Sequence, residues 1–142
     1  MTINEEQERI IEEFSLFDDW MDRYNYLIEI GKSLPVMDEK YKVKDYLIEG
    51  CQSKVWLMPS LNNGVVEFSA ESDAIITRGI VALLVKVLSG HTPAEIMDAD
   101  LYFIDSIGLR QNLSPTRSNG LLAMVRQMKL YAIAFNAKMK SN

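Results

Sequence analysis

A chain of 142 residues, 48% hydrophobic and 25% charged, is long enough to bury one proper core and too short for two domains of ordinary size, so a single domain over 1–142 is expected. A formal net charge of -5 argues against nucleic acid as the main partner, because phosphate recognition needs clustered Lys and Arg. The one cysteine cannot form an internal disulfide, Met1-Thr2-Ile3-Asn4 shows no basic-then-apolar leader, and the longest apolar run, Ile80 to Val85, is far short of a membrane span. These features point to a soluble protein of the reducing cytoplasm with no membrane association. The charge is nevertheless segregated: residues 1–30 hold nine acids and two bases, residues 109–142 six bases and no acid. Such ends attract each other, divide the work of binding, or are simply solvated helix faces.

In chain order, Asn4 followed by Glu5, Glu6 and Gln7 reads as an N-cap with a capping-box partner, predicting a helix from about Glu5 to Ser15 with Ile10, Ile11 and Phe14 on its apolar stripe. Asp18 is placed to cap a second helix, in which Trp20, Met21, Tyr24, Leu27 and Ile28 recur at helical spacing and Gly31 stands at the expected C′ position. Residues 34–44 read as a loop or one irregular turn. Extended chain follows as Tyr46-Leu47-Ile48, Lys54 to Met58, and Val65 to Ala70, the last two joined by Asn63-Gly64 as a type I′ hairpin. Val66, Phe68 and Ala70 share one face, so the predicted three-stranded antiparallel sheet has one packed side and one wet side.

Residues 73–89 read as a helix apolar almost all round, which belongs under the sheet at the centre of the fold. Gly90 ends it, and Thr92-Pro93-Ala94-Glu95 restarts the chain as N-cap, N1 proline and capping-box glutamate. A short helix around Tyr102 to Ile107 stops at Gly108, and Ser114-Pro115 opens a last helix whose stripe runs through Leu121, Val125, Met128, Ala132, Phe135 and Met139. The class is therefore α+β, with helices packed on one side of the sheet.

The candidate for chemistry is Cys51, in Ile48-Glu49-Gly50-Cys51-Gln52-Ser53-Lys54-Val55-Trp56. Gly50 can adopt backbone angles closed to other residues and leaves one flank of the thiol open, while Gln52 and Ser53 are polar neighbours before the strand resumes. A cysteine can also be a small core hydrophobe, but glycine before it and two polar residues after it read as a loop. Because the thiolate is the nucleophile and an ordinary thiol of pKa about 8.5 is only slightly ionised at neutral pH, something near Cys51 is expected to favour the anion. Gly120, inside the last predicted helix, points to another backbone approaching closely there, with the cysteine loop as the candidate.

Gly50-Cys51-Gln52-Ser53-Lys54-Val55-Trp56 resembles the signature of the SufE family, small sulfur acceptors that work with a PLP-dependent cysteine desulfurase in iron–sulfur cluster assembly. Ser72 to Gly79 and Leu113 to Leu121 are similar to the family segments opening its central and C-terminal helices, and the similarity runs from about Phe14 to the end. The resemblance implies a SufE/NifU-like fold and a Cys51 that takes persulfide sulfur from the desulfurase, stimulates it, and passes the sulfur to a cluster-assembly scaffold. It also implies that the loop rests in a sheltered apolar site and swings out on docking. Gly50, Gln52 and Ser53 would then support the thiol, Arg117 would lie close to the cysteine loop, and Asp73 beside it near the partner-facing surface. PLP belongs to the partner, so the chain itself needs no cofactor, and a monomer or a homodimer is equally compatible.

Four readings compete with parts of this one. Asp73, as a first-turn residue, would also serve the helix dipole, and Arg117 would also simply face solvent or bind a carboxylate. A pure interaction module would bind through the Trp56 neighbourhood and the charged ends without sulfur transfer. A thiol hydrolase would need His91, the only histidine, as its base. Metal sites are disfavoured: Pro93 starts a helix between His91 and Glu95, and Tyr102 and Phe103 stand where a calcium loop opened by Asp98 and Asp100 needs an oxygen ligand and a glycine. One thiol likewise cannot hold an iron–sulfur cluster within a monomer.

Overall fold

The computed structural model describes residues 1–140, so the end of the expected 1–142 domain lies outside the described residues. The order is α1 (Ile3–Phe14), α2 (Trp20–Lys32), two 3-10 turns (Glu39–Tyr41 and Lys44–Tyr46), β1 (Val55–Asn62), β2 (Val65–Ser72), α3 (Ile75–Leu88), α4 (Pro93–Asp98), α5 (Phe103–Ser106), α6 (Leu109–Asn112) and α7 (Pro115–Lys140). The α+β class holds, but the sheet has two strands rather than three. Tyr46 belongs to a 3-10 turn, which leaves only Leu47 to bridge Trp56 before Glu49 and Gly50 turn the chain away.

The hairpin forms as the Asn-Gly pair dictates, with φ of 53° at Asn63 and 83° at Gly64, the two positive values of a type I′ turn. β1 runs further than expected, through Pro59 to Asn62, with Pro59 opposite Phe68. Counting from the two-residue turn, that pair is a non-hydrogen-bonded one, so the missing N–H of Pro59 breaks no rung of the ladder. Phe68 correspondingly sends its N–H outward, to Ser89 Oγ at 3.0 Å. The outer edge of β2 is further covered by Val66 N–H to His91 O and Gly90 N–H to Val66 O, at 2.8 and 2.7 Å.

The inward face of β2 carries Val66, Phe68 and Ala70, as their alternation predicts, and the alternation continues to a buried Ser72. α3 lies against this face, and Ile80, Leu83, Leu84, Val87 and Leu88 are buried with Leu27 of α2 and Leu121, Met124 and Met128 of α7 in one apolar cluster. Met124 was not on the predicted stripe of α7, and Met139, which was, is exposed.

Several helix starts differ from expectation because a better cap lay nearby. α1 is capped by Thr2, whose hydroxyl accepts the Glu5 N–H at 3.0 Å while the Glu5 carboxylate accepts the Thr2 N–H at 2.9 Å. Gln7 is thereby freed from the cap and wholly buried: it donates to Asp100 O and accepts from Phe103 N–H, fastening α1 to the start of α5. Asp19 rather than Asp18 caps α2, accepting the Met21 N–H at 3.0 Å. The expected cap Thr92 and its Glu95 partner form as read, and so does Ser114, which accepts the Arg117 N–H at 3.3 Å. A turn not foreseen, α6, starts after Gly108.

Gly31 is not a helix stop but a contact between α2 and α3: a Cβ there would lie 2.8 Å from the backbone nitrogen of Gly79. Gly79 in turn faces the Leu27 carbonyl too closely for any side chain. Gly31→Ala should therefore push two backbones apart and lower stability by about 1–3 kcal/mol. Urea unfolding followed by circular dichroism checks this as a lower midpoint at unchanged slope.

Candidate functional site: the Cys51 loop and its cleft

Cys51 sits on a short loop pinned at both feet. At the first foot the Ile48 N–H donates to Val55 O at 2.8 Å, and Gly50 then turns with φ +90°, a conformation L side chains rarely adopt. A Cβ on Gly50 would also stand 3.3 Å from Ala123 Cβ of α7. At the second foot Lys54 is gripped from both sides: its N–H donates to Asp73 Oδ1 at 3.0 Å, and its carbonyl accepts the Ser72 hydroxyl at 2.9 Å and the Asp73 N–H at 3.3 Å. Arg78 steadies this grip by donating to Glu71 Oε1 at 2.7 Å and to Ser72 O at 2.9 Å. The tip between the feet meets α7 through the thiol, whose S–H donates to Gly120 O at 3.6 Å.

The thiol opens on a cleft of about 70 Å³ lined by Cys51, Gln52, Ser53, Thr77, Ile80, Thr116, Arg117, Gly120 and Met124. Thr77, Ile80, Gly120 and Met124 are buried and form its floor, whereas Gln52, Thr116 and Arg117 are exposed and form its rim. The cleft is small and open at its rim, with room beside the thiol for an added sulfur atom. Burial of the half-buried Cys51 pushes its thiol above the ordinary range. The expectation that a neighbour already favours the anion is thus not met in this resting geometry, where burial disfavours the thiolate. Arg117 lines the cleft, yet its guanidinium makes no ion pair or hydrogen bond with any other of the described residues. It is an unengaged cation at the rim.

The structure therefore brings Gly50, Cys51, Gln52, Ser53, Arg117 and Gly120 together, with Asp73 anchoring the loop from behind. Asp73 is not in the first turn of α3, which begins two residues later at Ile75, so its carboxylate serves the loop rather than the helix. A Cβ on Gly120 would lie 3.5 Å from Cys51 Sγ and 3.8 Å from its Cα, which is ordinary contact; the glycine keeps the space beside the sulfur open. His91 is elsewhere, bridging Val66 at the outer edge of β2 with Nδ1 3.9 Å from Glu95 Oε2, and it is not among the cleft residues. Sequence reading missed Ser72, Thr77, Arg78 and Met124. Ser72 was recoverable, since a polar residue continuing the inward alternation of β2 must find a buried partner.

Two outcomes follow from this geometry. Alkylation of Cys51 by iodoacetamide should rise with pH about a midpoint above that of the same thiol in the unfolded chain. The thiol's contribution to stability is accordingly full below the unfolded-state pKa and is lost as pH climbs through the folded one. Asp73→Ala, which frees the Lys54 N–H, should raise the alkylation rate several-fold at neutral pH and shift the midpoint back toward the ordinary value, with little change in melting temperature.

A family model described as "SufE: Fe-S metabolism associated domain" matches residues 8–132. A SufE-like protein of Rhizobium etli is 42% identical over 127 residues, covering 86% of each chain, and one from Synechocystis is 38% identical, covering 89% of this chain and 80% of its own; both are described as uncharacterized. The solution structure of a hypothetical protein from Thermus thermophilus superposes with a TM-score of 0.75 over 91% of this chain and 94% of that one, at 18% identity, a likeness of fold. With the family model matching residues 8–132 and relatives 38–42% identical over most of its length, the chain belongs to the SufE family, whose domain is associated with Fe–S metabolism.

Proposed function

We propose that the chain acts as one SufE-like unit that accepts sulfur on Cys51 from a PLP-dependent cysteine desulfurase, stimulates that enzyme, and delivers the sulfur to an iron–sulfur scaffold. It is a carrier rather than an enzyme in its own right and works in the cytoplasm. The observation that carries this reading is the pinned loop: a single thiol held at a small cleft, on a tip fixed to the rest of the molecule by little beyond its own S–H contact with Gly120. Such a tip can lift without unfolding the core, because the hydrogen bonds at Ile48 and Lys54 lie outside the segment that must move.

The transfer is an exchange at sulfur. The desulfurase presents a cysteine persulfide; Cys51, deprotonated as the loop leaves its cleft, attacks the terminal sulfur. A new S–S bond forms at Cys51 as the partner's S–S bond breaks, and the partner's sulfur leaves as the thiolate and takes up a proton. The transferred sulfur keeps its oxidation state, so no external oxidant or reductant enters. Leaving the cleft also reverses the effect of burial, returning the thiol toward its usual range when it must become a nucleophile. Arg117, unengaged at the rim, supplies a permanent positive charge for the anion on either side of the step.

Incubating the chain with a candidate desulfurase and free cysteine, then weighing it intact and by peptide, should show one added sulfur atom on the peptide containing Cys51. Cys51→Ser should show none while keeping its fold. Desulfurase stimulation that survives in Cys51→Ser with no sulfur on the wild-type chain would instead favour an interaction module.

A further inference from the structure

α3 is apolar along nearly its whole length, and its one buried hydroxyl stands out. Thr77 is only 5% exposed, and among the described residues its side chain donates to nothing and accepts from nothing. Serines elsewhere in this fold settle their hydroxyls on nearby carbonyls, as Ser15, Ser33 and Ser106 do, whereas Thr77 does not use that outlet. Among the described residues the side-chain polar atoms sealed from solvent without a partner are Glu6 Oε2 and Trp20 Nε1, so the Thr77 hydroxyl, though its residue is buried, keeps an opening to the space it borders. Thr77 lines the floor of the Cys51 cleft together with Gly120, Ile80 and Met124. A polar group so placed, in a cleft with space for one more atom beside the thiol, is matched to something that occupies the cleft only part of the time.

We infer that Thr77 is a binding residue for the sulfur carried by Cys51: its hydroxyl donates a hydrogen bond to the terminal sulfur of the Cys51 persulfide when the loaded loop rests in its cleft. The inference builds on the sulfur-carrier reading and adds where the cargo lies and what holds it. Gly120 leaves the space that the added sulfur enters, Ile80 and Met124 give it an apolar floor, and Arg117 stands at the mouth. The inner sulfur of a persulfide has no proton to offer the Gly120 carbonyl, so the contact that holds the empty loop is absent from the loaded one. The Thr77 hydroxyl replaces it with a donor to the anionic terminal sulfur, so the empty and the loaded loop are each retained by a different hydrogen bond.

The test loads the purified chain with inorganic polysulfide, which needs no desulfurase: the Cys51 thiolate takes one sulfur atom and the polysulfide is shortened by one. Loss of that sulfur to added glutathione is then followed by intact mass. Thr77→Val should fold with an unchanged or higher melting temperature and load fully, yet lose its sulfur at least several-fold faster than wild type and show a raised persulfide pKa in an absorbance titration. Thr77→Ser, which keeps the donor, should restore both. Equal loss from wild type and Thr77→Val, whether fast or slow, overturns the inference. Failure of a desulfurase to load the wild-type chain, with polysulfide loading and the Thr77 difference intact, would overturn the partner reading and leave the cargo site standing.

Discussion

The grip of Ser72 and Asp73 on Lys54 is the constraint on which the site depends. Two consecutive residues at the strand–helix junction satisfy both backbone groups of Lys54, one with a hydroxyl and one with a carboxylate and its own N–H. With the Ile48 to Val55 hydrogen bond at the other end, this fixes the distance the intervening loop must span. The loop is too short to wander and too sparsely bonded to be rigid. Its position over α7 then follows from the helix beneath it, where Gly120 lets the cysteine settle against a backbone carbonyl.

Burial and reactivity oppose each other at this thiol, and in the proposed function the loop separates them in time. At rest, desolvation keeps Cys51 protonated and hence poorly nucleophilic, which protects a lone thiol from oxidants. In that function the displaced thiol regains solvent, which favours the thiolate. A cysteine whose pKa was permanently lowered would be reactive toward everything it met. One that reacts only when its loop moves is selective for whatever moves the loop.

Much of this was legible in the residues. Asn63-Gly64 and the Thr92 to Glu95 capping box rest on local rules with few competitors and formed as read, and the apolar helix read over 73–89 formed over Ile75–Leu88. The errors came where a local signal had a rival nearby or a tertiary override. Thr2 displaced Asn4 because Glu5 sits at the right offset for it, and Gly31 read as a stop because its true reason, a second glycine 48 positions later, is invisible to local pattern. The missing third strand reflects the 3-10 turn at Lys44–Tyr46. At the site, the loop, Arg117 and Gly120 were foreseen through motif and family likeness. Asp73 was foreseen beside the loop with its chemistry left open, and Thr77 only as a position of the Ser72 to Gly79 segment with no role given it, since one threonine in an apolar helix signals nothing until the cleft beside it is visible.

The central claim is that Cys51 is reached by local opening of its loop while the fold stays intact. The direct measurement is the rate of Cys51 alkylation at fixed pH in increasing urea, kept below the unfolding transition. Opening a few loop residues exposes little surface, so the account predicts a rate almost independent of urea across that range. A rate that climbs with the full denaturant dependence of global unfolding would mean the thiol is released only with the core, and would contradict the account.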